Sequence, residues 1–170
     1  MKKNLFSTAV LGLMLAATDV SAYTDINPTE SYNMVVAGQG YIIDVRTFEE
    51  FVWVGHPGKN KAGDGAALEG KVVNESWMKY GKGDVLVINP SFVSDMEELF
   101  PDKTTPIIMM CRSGVRSVAA AVALEAAGYT TVYNMLQGFE GETDANGYRT
   151  VNGWKNTLPY NFSNVGVYGD

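Results

Sequence analysis

The chain has 170 residues, 46% of them hydrophobic, with 13 basic and 19 acidic side chains and a formal net charge of −6 at pH 7. That length suits one compact domain with a real core. The acidic balance argues against nucleic acid and against an anionic membrane surface as partners, since both reward clustered positive charge.

At the N-terminus, Lys2 and Lys3 precede an apolar stretch over about residues 5–17, and small residues follow up to Val20-Ser21-Ala22. This is the three-part pattern of a secretory signal peptide. An uncleaved membrane anchor is the alternative, for which the stretch is short and wrongly flanked. Cleavage after Ala22 leaves a single soluble domain over residues 23–170, with a bacterial periplasm as its expected location. It also removes Lys2, Lys3 and Asp19, which makes the charge one unit more negative.

Asn27-Pro28-Thr29-Glu30 predicts a helix start, with Met34 and Val35 on the apolar side and Gly38 as the stop. Residues 41–45, YIIDV, form a short apolar run suited to a strand buried on both faces. Thr47 and Glu50 stand at capping-box spacing and open a second helix. From His56 to about Gly83 the periodicity dissolves into a Gly- and Lys-rich loop, with KVVN as a brief strand inside it. A loop of that length is expected to cover or shape a site. Residues 84–89, DVLVIN, read as either another strand or an extended segment.

Helical spacing returns over residues 90–100, and residues 106–110 give the second strong buried strand. Residues 115–127 are the clearest helix, closed by Gly128 in a C-terminal capping role. A third strand is expected over residues 130–134, and the weakly periodic tail from Gly138 wraps the domain. Short apolar strands alternating with helices predict an α/β fold with a parallel sheet, in which ligands sit at the carboxyl ends of the strands.

Cys111 is the one cysteine of the chain, so neither an intramolecular disulfide nor a CxxC pair is available. Three readings are open for it: an inert core thiol, a site of intermolecular pairing, or a reactive nucleophile. Its surroundings favour the last. The run IIMMCRSGVRS places Cys111 at a strand end, followed by Arg112, Ser113, Gly114, Val115, Arg116 and Ser117 leading into a helix. Successive backbone N–H groups in such a turn make an anion-binding nest that the helix dipole reinforces, with Gly114 giving the turn its freedom. A sulfur at its centre is stabilised as thiolate, and the same cradle suits the anionic end of a persulfide.

This segment resembles the active-site loop of the rhodanese family, a CRSGxRS-type loop that carries a persulfide-forming cysteine. IIDVRTFEEF at residues 42–51, with Gly55-His56 after it, is similar to the family's early DVR…E(F/Y)…GH signature. AAGYTTVYNMLQGFEG resembles its final strand and following glycine turn. The matches occur in the family's order and span most of residues 28–141. The resemblance implies a rhodanese-like five-stranded parallel sheet flanked by helices, and a sulfurtransferase that needs no cofactor. Sulfane sulfur from thiosulfate, polysulfide or a persulfide donor would load Cys111 and pass to cyanide, a thiol or a partner protein. A low-turnover periplasmic carrier, relaying persulfide sulfur to a partner, is the alternative.

Carried over by position, Cys111 is the nucleophile. Arg112 through Arg116 form the cradle, the arginine side chains lie near the donor's anionic part, and the Ser117 hydroxyl supports the loop. Two departures stand out. GHPGKNKAGDGAALEGKVVNES replaces the family's compact GHIPGAxN, and the tail VNGWKNTLPYNF extends the usual ending. Spacing also separates this chain from cysteine-dependent phosphatases, whose C-x5-R loop is one residue longer than the C-x4-R from Cys111 to Arg116.

Asp44 and Arg46 either contact the active-site loop across the sheet edge or form an ion pair that ties loops together. His56, the lone histidine, is read as structural, since thiol–sulfane exchange on a stabilised thiolate needs no general base. Met109 and Met110 alternate faces on a strand and are read as core, so no metal site is expected. Trp53, Trp77 and Trp154 are read as packing. Lys59, Lys61, Lys71, Lys79 and Lys82 make the long loop basic, which either steers anions or merely keeps the loop solvated.

Overall fold

The computed structural model describes residues 23–162. The expected signal peptide, residues 1–22, lies outside the described residues, as do residues 163–170. Five short strands are β1 (Thr24–Ile26), β2 (Tyr41–Asp44), β3 (Val72–Asn74), β4 (Ile107–Met110) and β5 (Val132–Met135). They form one sheet in the order β1-β5-β4-β2-β3, and every neighbouring pair is parallel. Helices α1 (Pro28–Val36), α2 (Phe48–Val54), α3 (Phe92–Leu99) and α4 (Val115–Ala126) flank it, with a short α5 (Trp154–Thr157) from the tail.

The helices begin where side chains can take up their orphan N–H groups. Asn27 Oδ1 accepts from the Glu30 N–H at 2.9 Å, and the Glu30 carboxylate accepts from the Asn27 N–H at 2.7 Å. Thr47 and Glu50 repeat this capping box at α2. At the other end of α4, the N–H groups of Gly128 and Tyr129 bond back to the Glu125 and Leu124 carbonyls. Strand side chains alternate between two apolar clusters. Ile43, Ile107 and Met109 join Phe92, Met96 and Leu124 on one face; Ile42, Ile108 and Met110 join Val35, Leu68 and Trp154 on the other. The sheet core is therefore buried on both sides, and Met109 and Met110 are core as expected.

The structure differs from the sequence reading in two places. The fifth member of the sheet is β1, which the sequence did not signal because three residues with one buried side chain carry no period, while DVLVIN supplies a strand at Leu86–Ile88 outside that sheet. The segment read as a long loop is substantially folded. Besides the brief KVVN strand expected there, which is the edge strand β3, it contains a 3₁₀ turn at Ala66–Leu68 and the first strand of a hairpin in which Met78–Tyr80 pairs antiparallel with Leu86–Ile88. Among the described residues, no helix is long and apolar enough to cross a membrane.

The tail does wrap the domain. Tyr160–Asn161 pairs antiparallel with Pro57 and His56. Trp154 is fully buried, meets Tyr32 edge-on at 6.0 Å, and donates its indole N–H to the Pro159 carbonyl at 2.8 Å. Truncating it leaves a large cavity against the sheet, so Trp154→Ala should cost about 3–5 kcal/mol. Chemical denaturation at equilibrium checks this as a lower midpoint with an unchanged slope.

Candidate active site

The chain leaves β2 for β3 on one side and returns to β4 on the other, so the sheet reverses its winding between β2 and β4. At such a switch point the connecting loops part and open a crevice at the carboxyl edge. Both expected segments lie there. The ladder runs on past Asp44, with the Val45 N–H bonded to the Met110 carbonyl at 2.8 Å. Cys111 is the next residue after β4, and it keeps the alternation that turns it toward the α3–α4 side.

The thiol sulfur sits at the start of α4. Sγ accepts a hydrogen bond from the Gly114 N–H at 3.1 Å and faces the Ser117 hydroxyl at 3.4 Å. Gly114 caps the helix with φ +96°, a conformation that aims its N–H back at the sulfur. Ser117 is buried in the first turn, so its hydroxyl has a fixed direction. Both donors are directed at the sulfur.

The arginines divide their roles. Arg116 makes a two-pronged pair with Glu50 on α2, each N–O contact at 2.7 Å. Burial alone would raise the Glu50 carboxyl, but the Arg116 bonds and charge overcome this and hold it below its ordinary value of 4.5. The same bonds push Arg116 up. The sequence reading placed both arginine side chains at the donor's anionic part; the geometry engages Arg116 in tying α4 to α2. Arg112 is exposed, and among the described residues no carboxylate pairs with it. Glu50 was visible in the sequence as a capping residue, whereas its partner lies 66 positions away and no local spacing announces it.

Above the loop is a pocket of about 620 Å³ lined by Glu50, Val54, Tyr80, Leu86, Cys111, Arg112, Ser113, Val115, Arg116 and Glu140. Cys111 is buried as a whole residue and is among the residues that line this pocket. Val115 stands 76% exposed at the rim.

Beneath the loop runs a second layer from the turn after β5. The Phe139 N–H bonds the Cys111 carbonyl at 2.8 Å, and the Glu140 N–H bonds the Arg112 carbonyl at 2.9 Å. Gly138 makes this approach possible: at φ +56°, a Cβ there would stand 2.3 Å from the Cys111 carbonyl oxygen. The tail braces the layer in turn, since the Trp154 and Lys155 N–H groups bond the Gly138 and Phe139 carbonyls at 2.9 Å. Asp44 and Arg46 form a fully buried ion pair. Arg46 Nε donates to Asp44 Oδ1 at 2.8 Å, and its NH2 nitrogen donates to the Gly55 carbonyl at 2.7 Å. The guanidinium lies 4.2 Å above the Phe139 ring. This pair supports the floor of the site and is not among the residues lining the pocket.

The other candidates fall away from the pocket. His56 stacks on Phe51 with ring centroids 3.9 Å apart, and Nδ1 lies 3.3 Å from the Phe51 carbonyl. Burial pushes it down from its ordinary value, so it stays neutral at pH 7. Trp77 packs edge-on against Phe92, Trp154 is core, and Trp53 is exposed. None of the five loop lysines lines the pocket; Lys71 lies over the Tyr41 ring and Lys79 sits 3.7 Å from Glu75. Among the described residues, no cluster of three His, Cys, Asp or Glu side chains could hold a metal ion.

Two substitutions test this architecture. Glu50→Gln should destabilise the protein by roughly 1–3 kcal/mol at neutral pH through loss of the charged bonds to Arg116. Because the folded carboxyl titrates below its ordinary value, the wild-type advantage is full above 4.5 and fades as pH falls through the lower folded value. Thermal melts of both proteins from pH 7 to pH 3 should converge in the acid range. Gly138→Ala should cost roughly 1–3 kcal/mol from overpacking. It should also reduce the rate at which an electrophilic thiol reagent modifies Cys111, because the shift falls on the loop that holds the sulfur.

A model of the rhodanese-like domain matches residues 27–144. A Rickettsia conorii protein, RC0915, is 31% identical over 140 residues, covering 81% of this chain and 97% of its own length. The thiosulfate sulfurtransferase GlpE of Actinobacillus succinogenes is 24% identical over 120 residues, covering 71% of this chain and 84% of its own. Among solved structures, Rv0390 from M. tuberculosis superposes with a TM-score of 0.67 at 32% identity, covering 83% of this chain and 99% of that one. The family match spans the reversal point, the cysteine loop and the turn beneath it, and with the shared sheet it places this chain in the family of rhodanese-like domains.

Proposed function

We propose that the protein is an exported sulfurtransferase that carries sulfane sulfur as a persulfide on Cys111. The observation that carries this reading is a cysteine at the end of the central strand, among the residues lining a pocket, with its sulfur held by the Gly114 N–H and faced by the Ser117 hydroxyl. The Cys111 thiolate attacks the outer sulfur of thiosulfate. A new S–S bond forms, the old one breaks, and its electron pair leaves with sulfite. The persulfide adds one S–S bond of about 2.05 Å to the cysteine, which extends the anionic end into the pocket. A thiophilic acceptor then takes the terminal sulfur and returns the thiolate; cyanide would leave as thiocyanate, and an acceptor thiolate would become a persulfide.

The proposed catalytic residue is Cys111, with the Gly114 N–H and Ser117 as its direct donors and the exposed Arg112 as the cation for the donor's anionic part. Family membership and the likeness to a thiosulfate sulfurtransferase support the reaction class. The basic, apolar and small-residue order of residues 1–22 supports export to a periplasm. The C-x4-R spacing supports sulfur over phosphoryl chemistry, because a shorter loop offers a smaller cradle.

Intact mass after incubation with thiosulfate, and separately with polysulfide, should show one added sulfur that is lost in Cys111→Ser. Cyanide should then release thiocyanate over many turnovers. A folded, reduced protein that gains no sulfur from either donor would sink the proposal. Discharge that stops at one equivalent would instead favour the low-turnover carrier that relays persulfide sulfur to a partner protein.

A further inference from the structure

The Met78–Tyr80/Leu86–Ile88 hairpin contributes to the lining of the pocket that Cys111 shares. Its register pairs Tyr80 directly with Leu86, so the two side chains share one face, and both line the pocket. Lys79 pairs with Val87 on the opposite face. The hairpin is bolted at its base to the same strand end that shapes the site. The Trp77 N–H bonds the Val45 carbonyl at 3.1 Å, the Asn89 N–H bonds the Trp77 carbonyl at 2.8 Å, and the Ser76 hydroxyl bonds the Arg46 carbonyl at 2.9 Å. Trp77 is further fixed on Phe92. Tyr80 and Leu86 thus line the same pocket as Cys111 from an anchored hairpin, with Val54 and Val115 also lining it.

Size and charge define what this wall is for. Thiosulfate has five heavy atoms and fills on the order of 100 Å³, scaled from about 30 Å³ per water. The pocket is about 620 Å³, within the range that encloses organic ligands. Glu50 matches Arg116, and Glu140 adds a carboxylate to the lining, its charge faced by Lys155 at 3.6 Å. Arg112 is the cation at the pocket without a carboxylate partner among the described residues. One unmatched cation and an apolar wall suit a monoanion on an apolar body better than a compact dianion.

Resting on the sulfurtransferase reading above, we propose that Tyr80 and Leu86 are specificity-determining residues. They select sulfur donors whose terminal sulfur is carried on an apolar organic group, as in organic thiosulfonates and organic persulfides. For a thiosulfonate, the Cys111 thiolate takes the outer sulfur and the S–S electron pair leaves with the organic sulfinate. Atoms and charge balance as they do for thiosulfate, and no further oxidant or reductant is needed. The apolar group remains against the hairpin while the sulfur is transferred.

The test compares kcat/KM for benzenethiosulfonate and methanethiosulfonate, which share a leaving-group type and differ in the apolar body, with thiosulfate as a third donor and cyanide as acceptor. The wild-type protein should favour the benzene donor over the methane donor by roughly tenfold, and Tyr80→Ala and Leu86→Ala should each erase most of that preference. Tyr80→Phe keeps the ring and should retain the preference, as should Val87→Ala on the outer face of the hairpin. A wild-type ratio near one, a ratio unmoved by Tyr80→Ala and Leu86→Ala, or an equal loss in Val87→Ala would overturn the assignment. No sulfur transfer from any of the three donors would instead overturn the sulfurtransferase reading beneath it.

Discussion

The carbonyl oxygen of Cys111 is held by the N–H of Phe139, and the geometry of the carboxyl edge follows from that one bond. A strand that ends in a catalytic-type loop leaves backbone groups without ladder partners, and buried groups of that kind must find others. Here the turn after β5 supplies them for Cys111 and Arg112. The turn could slide only if Gly138 carried no constraint, but its approach to the loop leaves no room for even a methyl group. The Phe139 ring closes the stack from below, with the Arg46 guanidinium over it. Three chain segments that are distant in sequence thereby fix one carbonyl, and through it the sulfur.

Charge is handled by the same economy. Asp44 and Arg46 are buried together and Arg46 also donates to the Gly55 carbonyl, so the pair joins β2 to the end of α2. Glu50 serves twice, as a cap for α2 and as the partner of Arg116 on α4. These two pairs align the three elements that meet at the crevice. Together they match most of the fixed charge around the sulfur and leave the backbone donor, a hydroxyl and the exposed Arg112 at the pocket.

Much of this was legible in the sequence. The apolar runs at YIID and IIMM have the continuous hydrophobicity of strands buried on both faces, and both capping boxes are spelled out by residue type and spacing. The cysteine, glycine and two arginines before an alanine-rich helix placed the cradle directly. What the sequence could not display is pairing across distance. Glu50 and Arg116 look like two surface charges until the fold brings α2 and α4 together. Gly138 looks like an ordinary turn glycine until the loop it underlies is in place. β1 is three residues long and takes its strand character from β5, and the hairpin's short strands are mostly exposed, so hydrophobic period is weak in both. The lysines that made the long segment read as a loop lie away from the pocket.

The attachment of that hairpin has a practical consequence. All of its anchoring bonds fall at residues 74–77 and 89, while the strands and apex between them contribute side chains to the pocket without holding the cysteine loop. The segment between Met78 and Ile88 is therefore a replaceable cassette. Exchanging it for hairpins of other length or lining would reshape the mouth of the pocket while leaving the thiol, its two donors and the buried ion pair where they are, a starting point for building a library of pocket shapes over one unchanged cysteine loop.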